Sequence, residues 1–154
     1  MEDTAPQGPP LCDPSQKMVL LVDDDESLLD LIDHVVKKEG FKTDRATDGL
    51  EALRKTQALD PDLIILDFML PGMGGYEVLR ELQAKGCGAV PVIVITGRQM
   101  DRKSIEMLRL EPNVREFMEK PLRPVIMATT IHNILQTRPP SIDRTAKGPM
   151  SSGF

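Results

Sequence analysis

Met18-Val19-Leu20-Leu21-Val22-Asp23-Asp24-Asp25 is five apolar residues followed by three carboxylates. An unbroken apolar run this short is the pattern of a strand buried on both faces, as in a parallel sheet. Leu63-Ile64-Ile65-Leu66 and Val92-Ile93-Val94-Ile95 repeat it, and they end in Asp67 and in Thr96-Gly97. Weaker strands fit 42–46 and 114–118. Helical spacing lies between the runs. Leu28, Leu29, Leu31, Ile32, Val35 and Val36 form an apolar stripe within 26–38, with Lys37 and Lys38 in the last turn and Gly40 beyond it. Asp48 and Glu51 form a capping-box-like start for a second helix carrying Leu50 and Leu53. Tyr76, Val78, Leu79 and Leu82 mark a third, ending near Gly86. A short fourth fits 100–109, and Met127, Ile131, Ile134 and Leu135 mark the fifth.

Five strands alternating with five helices predict an α/β domain. The expected architecture is a single doubly wound five-stranded parallel sheet, with flavodoxin-like order 2-1-3-4-5 and helices on both faces. The body is expected over 17–136. Residues 1–16 hold four prolines and three acids without a base, and are expected to be a disordered leader. Residues 137–154 hold three prolines, two glycines and three serines, and are expected to be a disordered tail. No effector domain is expected after the fifth helix.

The chain has 154 residues and a net charge of −5, which argues against nucleic acid as the main partner. Aromatics make up only 3%, so base-stacking platforms are excluded as a theme. Cys12 and Cys87 cannot build a disulfide framework and fit a reducing, cytoplasmic setting. No apolar run approaches the ~20 residues of a membrane span, and the acidic, Pro-rich start is wrong for a signal peptide.

The expected fold places the ends of its strands on one edge, where ligands bind. Asp23, Asp24 and Asp67 meet there, with Thr96 and the Lys120-Pro121 pair. Two carboxylates ~4 Å apart repel by about 4 kcal/mol at an effective dielectric of about 20. A cation or raised pKa values must relieve them. All-oxygen ligands suit Mg²⁺, which uses one or two carboxylates and phosphate oxygens. A divalent ion, an ammonium, a hydroxyl and a spare carboxylate make a phosphoryl-transfer site, with Asp67 as acceptor.

These residues resemble the receiver domain of bacterial two-component response regulators, of the CheY-like kind. The resemblance covers roughly 17–136. It is carried by Val22-Asp23-Asp24, by Leu66-Asp67-Phe68-Met69-Leu70-Pro71-Gly72-Met73-Gly74-Gly75, by Val94-Ile95-Thr96-Gly97 and by Phe117-Met118-Glu119-Lys120-Pro121. It implies that Asp67 accepts phosphate from a phosphohistidine of a histidine kinase or histidine phosphotransfer protein. It implies Mg²⁺ on Asp24, Asp67 and the backbone carbonyl of Met69, with Asp23 acting mostly through a water. Lys120 then pairs with the phosphoryl group, Thr96 binds one of its oxygens, and Phe117 is the switch aromatic. A cis Lys120-Pro121 bond is also implied. The apolar Met69, two residues after the acceptor, implies a long-lived phosphoryl group.

The domain is expected to be no enzyme beyond Mg-dependent self-phosphorylation and slow self-dephosphorylation. It is expected to be a stand-alone switch acting on an unidentified protein target, with neither nucleic acid nor membrane, as a monomer or phosphorylation-dependent dimer. The alternative is a pseudo-receiver scaffold that works without phosphate. The chain lacks G-x-x-x-x-G-K-[ST] and lacks G-x-G-x-x-G after strand 1. A haloacid-dehalogenase-type phosphatase wants a second Asp where Met69 stands. Asp25 is read as a helix cap, and His34 and His132 as surface histidines. Pro112 must end or interrupt helix 4, and the turn before strand 5 lacks the family's small residues.

Overall fold

The structure is a computed structural model that describes residues 10–97 and 100–140. The remaining parts of the expected leader and tail, 1–9 and 141–154, lie outside the described residues. Five strands, β1 (Met18–Val22), β2 (Lys42–Ala46), β3 (Leu63–Asp67), β4 (Val92–Thr96) and β5 (Val114–Glu119), form one parallel sheet in the order β2-β1-β3-β4-β5. Five helices connect and close it: α1 (Glu26–Lys38), α2 (Gly49–Leu59), α3 (Gly75–Ala84), α4 (Arg102–Arg109) and α5 (Pro124–Leu135). The expected fold class and strand order are the observed ones.

The apolar runs are strands because both of their faces are covered. Every residue of β3 and β4 is buried, and so are four of the five in β1. Alternate residues feed two cores. Leu20, Val22, Ile64, Leu66, Val92 and Val94 pack with α2, α3 and Leu108 of α4. Val19, Leu21, Leu63, Ile65, Ile93 and Ile95 pack with α1 and α5. The edges are polar instead. Lys42, Asp44 and Arg45 lie on β2, and Arg115, Glu116 and Glu119 on β5, which blunts pairing with another sheet.

Local chemistry sets the helix ends. Asp25 caps α1 by accepting from Ser27 N (3.0 Å) and Leu28 N (3.3 Å), as its reading as a cap requires. Gly40 follows α1 with φ +103°, a left-handed conformation that favours glycine, and Pro14 packs against it. Asp48 accepts from Glu51 N at 2.8 Å, whereas the Glu51 carboxylate reaches past the cap to Thr47 N at 2.9 Å. α4 ends three residues before Pro112. The turn that replaces the family's small residues is closed by Val114 N to Glu111 O, and Val92 N donates to the carbonyl of the buried Asn113. The register then slips: Val92 faces Val114 but Ile93 faces Glu116, so Arg115 is an extra residue. This bulge lets Val114 and Phe117, three residues apart, both face the α3/α4 core.

Two expectations are corrected. Residues 11–16 and 137–138 are structured parts of the fold. Cys12 N donates to Gln136 O at 2.8 Å, Arg138 N donates to Cys12 O at 2.9 Å, and Pro14–Gln16 form a 3-10 turn capped by Asp13. The prolines that suggested disorder are accommodated because Pro14 begins a helical turn and packs on Gly40. His132 is no surface residue either. It is buried against Phe41, with one ring nitrogen 2.7 Å from Thr137 Oγ1 and the other 2.8 Å from Glu39 Oε1. His34 is exposed as expected.

Gly75 begins α3 where the chain returns to β3. A Cβ there would lie 2.8 Å from the Cα of Phe68 and 3.0 Å from its carbonyl oxygen, and backbone cannot give way cheaply. Gly74 has open space. Gly75→Ala is expected to lower stability by about 1–3 kcal/mol in urea denaturation, and Gly74→Ser to leave it within about 0.5 kcal/mol of wild type.

Candidate functional site

Strand register builds the site. Val22 of β1 pairs with Leu66 of β3, so the residues that follow, Asp23 and Asp67, emerge side by side. Asp23, Asp24 and Asp67 each offer a carboxylate oxygen within 4.8 Å of the others. Asp23 and Asp67 are buried and Asp24 is exposed, which leaves one open side. The Lys120 ammonium lies 3.6 Å from Asp67 Oδ2 and 3.9 Å from Asp23 Oδ2. It comes from the far edge of the sheet, beyond β5. The Lys120 N–H donates to the Thr96 carbonyl at 2.9 Å, and the Lys120-Pro121 bond is cis, as the resemblance implies.

Two of the three carboxylates are fixed by backbone. Asp25 N–H donates to Asp23 Oδ1 at 2.9 Å, and Met69 N–H donates to Asp67 Oδ1 at 3.1 Å. The Met69 side chain is 68% exposed beside the acceptor. Thr96 is buried at the end of β4. Asp101, not Thr96, caps α4, accepting from Ser104 N at 3.0 Å, so the hydroxyl of Thr96 is not spent on the helix. Phe117 is half-buried on the α3/α4 face, with the Arg109 guanidinium 4.9 Å from its ring centre. Sequence reasoning missed Arg109. No spacing rule pairs a helix-end arginine with a residue eight positions later across a turn.

Burial and the neighbouring charge act together on Asp23. Burial, aided by the negative charge of Asp67, pushes the Asp23 carboxyl up to about 6, against the opposing pull of Asp25 N–H and Lys120. The buried Asp23 Oδ2 has no hydrogen-bond donor among the described residues. An acceptor-only cluster with an orphaned buried oxygen and one exposed carboxylate fits a hard cation with oxygen ligands.

Comparison with known proteins agrees with this geometry. The family described as "Response regulator receiver domain" matches residues 19–132. The chain is 38% identical over 112 residues to the DNA-binding response regulator MtrA of Mycobacterium tuberculosis, covering 73% of this chain and 47% of that protein. It is 34% identical over 120 residues to the alkaline phosphatase synthesis transcriptional regulatory protein PhoP of Bacillus subtilis, covering 78% and 49%. The chain thus spans about half the length of the curated relatives it matches. Among solved structures, the signal receiver domain of a putative LuxO repressor protein from Vibrio parahaemolyticus superposes with a TM-score of 0.70 at 26% identity, covering 90% of this chain and 98% of that one. The chemotaxis protein CheY4 of Vibrio cholerae gives 0.71 at 25%, covering 77% and 98%. With the acidic cluster and its lysine in place on this fold, the chain belongs to the response regulator receiver domain family of two-component systems. Receiver domains generally bind Mg²⁺ at an acidic cluster, and this chain carries a cluster of carboxylates at Asp23, Asp24 and Asp67. No helix among the described residues is long and apolar enough to cross a membrane.

The raised Asp23 value has a definite sign. The fold favours the protonated form, so stability is greatest below the unfolded value near 3.8 and is lost as pH rises through about 6. The shift corresponds to about 3 kcal/mol at most. Thermal melts in EDTA are expected to show Asp23→Asn more stable than wild type at pH 7.5, with the gap shrinking toward pH 4. An equal gap at both values would count against the buried-charge account.

Proposed function

We propose that Asp67 takes a phosphoryl group from a phosphohistidine of a histidine kinase or histidine phosphotransfer protein, in a Mg²⁺-dependent reaction, and that the modified domain switches a protein-binding face. The observation that carries this is the Lys120 ammonium within 4 Å of both Asp23 and Asp67, two of three converging carboxylates.

In this reading a carboxyl oxygen of Asp67 bonds to phosphorus as the phosphorus–nitrogen bond of the donor breaks. The imidazole leaves with the electron pair and takes up a proton from water. The Met69 N–H holds Asp67 so that its other oxygen, Oδ2, turns toward Lys120. Lys120 offsets charge on the transferred oxygens, and being a flexible point charge it can follow them. Asp23, Asp24 and Asp67, with the Met69 carbonyl, would hold Mg²⁺, which when bound neutralises phosphoryl charge. Thr96 then donates to a phosphoryl oxygen from the neighbouring strand. Its movement frees space on the sheet face it shares with Phe117, and two arrangements of α4, β5 and α5 exchange population.

The domain turns over no substrate in this reading. Its chemistry is self-phosphorylation and slow self-dephosphorylation, slow because the Met69 side chain cannot orient water by a hydrogen bond. Output runs through protein contact, as a monomer or a phosphorylation-dependent dimer, in a cytoplasmic setting. The DNA binding named for MtrA concerns a protein of which this chain covers less than half.

Incubation with Mg²⁺ and phosphoramidate, read by intact mass, is expected to add one phosphoryl group to wild type and none to Asp67→Asn. Lys120→Ala is expected to slow uptake by on the order of 100-fold. A wild type that gains no mass would leave the phosphate-independent scaffold as the surviving reading. Thr96→Ala is expected to take the group at Asp67 while the Phe117 ring resonances stay where they are in the unmodified protein. Ring shifts equal to those of wild type would break the proposed coupling.

A further inference from the structure

Arg109 is the last residue of α4, and its guanidinium carbon lies 4.9 Å from the centre of the Phe117 ring. Phe117 pairs in register with Val94, two residues before Thr96, so Phe117, Val94 and Thr96 share one face of the sheet. Arg109 therefore contacts a ring that stands on the same face of the sheet as Thr96, whose strand β4 neighbours the acceptor strand β3.

The anchoring of α4 gives this contact weight. Of its eight residues only Leu108 is buried. Met107 is 45% exposed, and Leu110, which follows the helix, is 81% exposed. By contrast α1 buries four residues and α3 buries four. A helix held by one buried side chain moves at small cost, so a single attraction to the adjoining strand is a large share of what fixes it. The positive face of a guanidinium over an aromatic ring is such an attraction, and it is lost when the ring turns away.

We propose that Arg109 is a positioning residue for the switch, holding the Phe117 ring in its present arrangement and so favouring the unphosphorylated state. This rests on the reading in which a phosphoryl group on Asp67 draws Thr96 and makes room for the ring. Inward movement of Phe117 separates it from Arg109. The resting population then depends on that contact, and by reciprocity so does the affinity of the pocket for a phosphoryl group.

The test uses the full chain. The Arg109 Hδ protons are expected to be shifted upfield by the ring in wild type, and the shift to vanish in Phe117→Leu. Beryllium fluoride with Mg²⁺ serves as the phosphoryl probe in a titration of wild type and Arg109→Met, which keeps the length and removes the cation. Arg109→Met is expected to bind it about two- to fivefold more tightly than wild type. In the Phe117→Leu background the same substitution is expected to change nothing, which a merely structural role for Arg109 would not reproduce. Unchanged or weaker binding by Arg109→Met, or an equal effect without the ring, overturns the proposal while leaving the acceptor reading intact. A wild type that binds no beryllium fluoride and takes no phosphoryl group overturns both.

Discussion

Two buried carboxylates stand next to each other because two parallel strands are in register. Asp23 and Asp67 follow Val22 and Leu66, and the pairing of those residues leaves the acids no room to separate. Their repulsion is of the order of kilocalories in a low-dielectric edge, and the sheet that imposes it is buried on both faces and cannot yield. The rest of the site answers that repulsion. Backbone N–H groups from Asp25 and Met69 satisfy one oxygen of each acid. Lys120 approaches the remaining oxygens from beyond the other edge. The balance is incomplete, since Asp23 still resists ionisation and one of its oxygens has no donor among the described residues. A positive charge added to such a pocket would relieve both.

The elements packed around the sheet are not held equally firmly. The α1 side is tied by apolar packing and by ions: Asp33 accepts from Thr43 Oγ1 at 2.6 Å and pairs with Arg45 at 2.9 Å. Burial pushes the Asp33 carboxyl up, but hydrogen bonds from Thr43 and Arg45 and the charges of Lys37 and Arg45 outweigh it and hold the group below its ordinary value. α4 itself buries one leucine, and β5 beside it is a bulged edge strand. Energy delivered at the acceptor is thus spent most cheaply on α4 and β5, where few contacts must break.

Much of this was legible from residues alone, for physical reasons that can be named. Continuous apolar runs must be central parallel strands, and β1, β3 and β4 are. The carboxylate caps at Asp25 and Asp48 are local interactions, and local interactions show in local sequence. The acidic triad with Lys120 was legible because the fold rule collects strand ends on one edge. What escaped was non-local or compensatory. The extra residue at Arg115 shows only in the register against β4. His132 looked like a surface histidine because its neighbours in sequence are polar, while its partners Glu39 and Phe41 lie more than ninety residues away. The prolines before β1 suggested disorder because composition says nothing of a bridge to residues 136–138.

That bridge has an architectural consequence. Cys12 and Thr137 run alongside each other and close the domain where it begins and where it ends. The two segments run parallel, and Thr137 also meets the ring of His132, which is buried against Phe41. A tie of this kind holds the approach to the first strand against the end of the last helix, so unravelling from either side must first break the same pair of backbone hydrogen bonds.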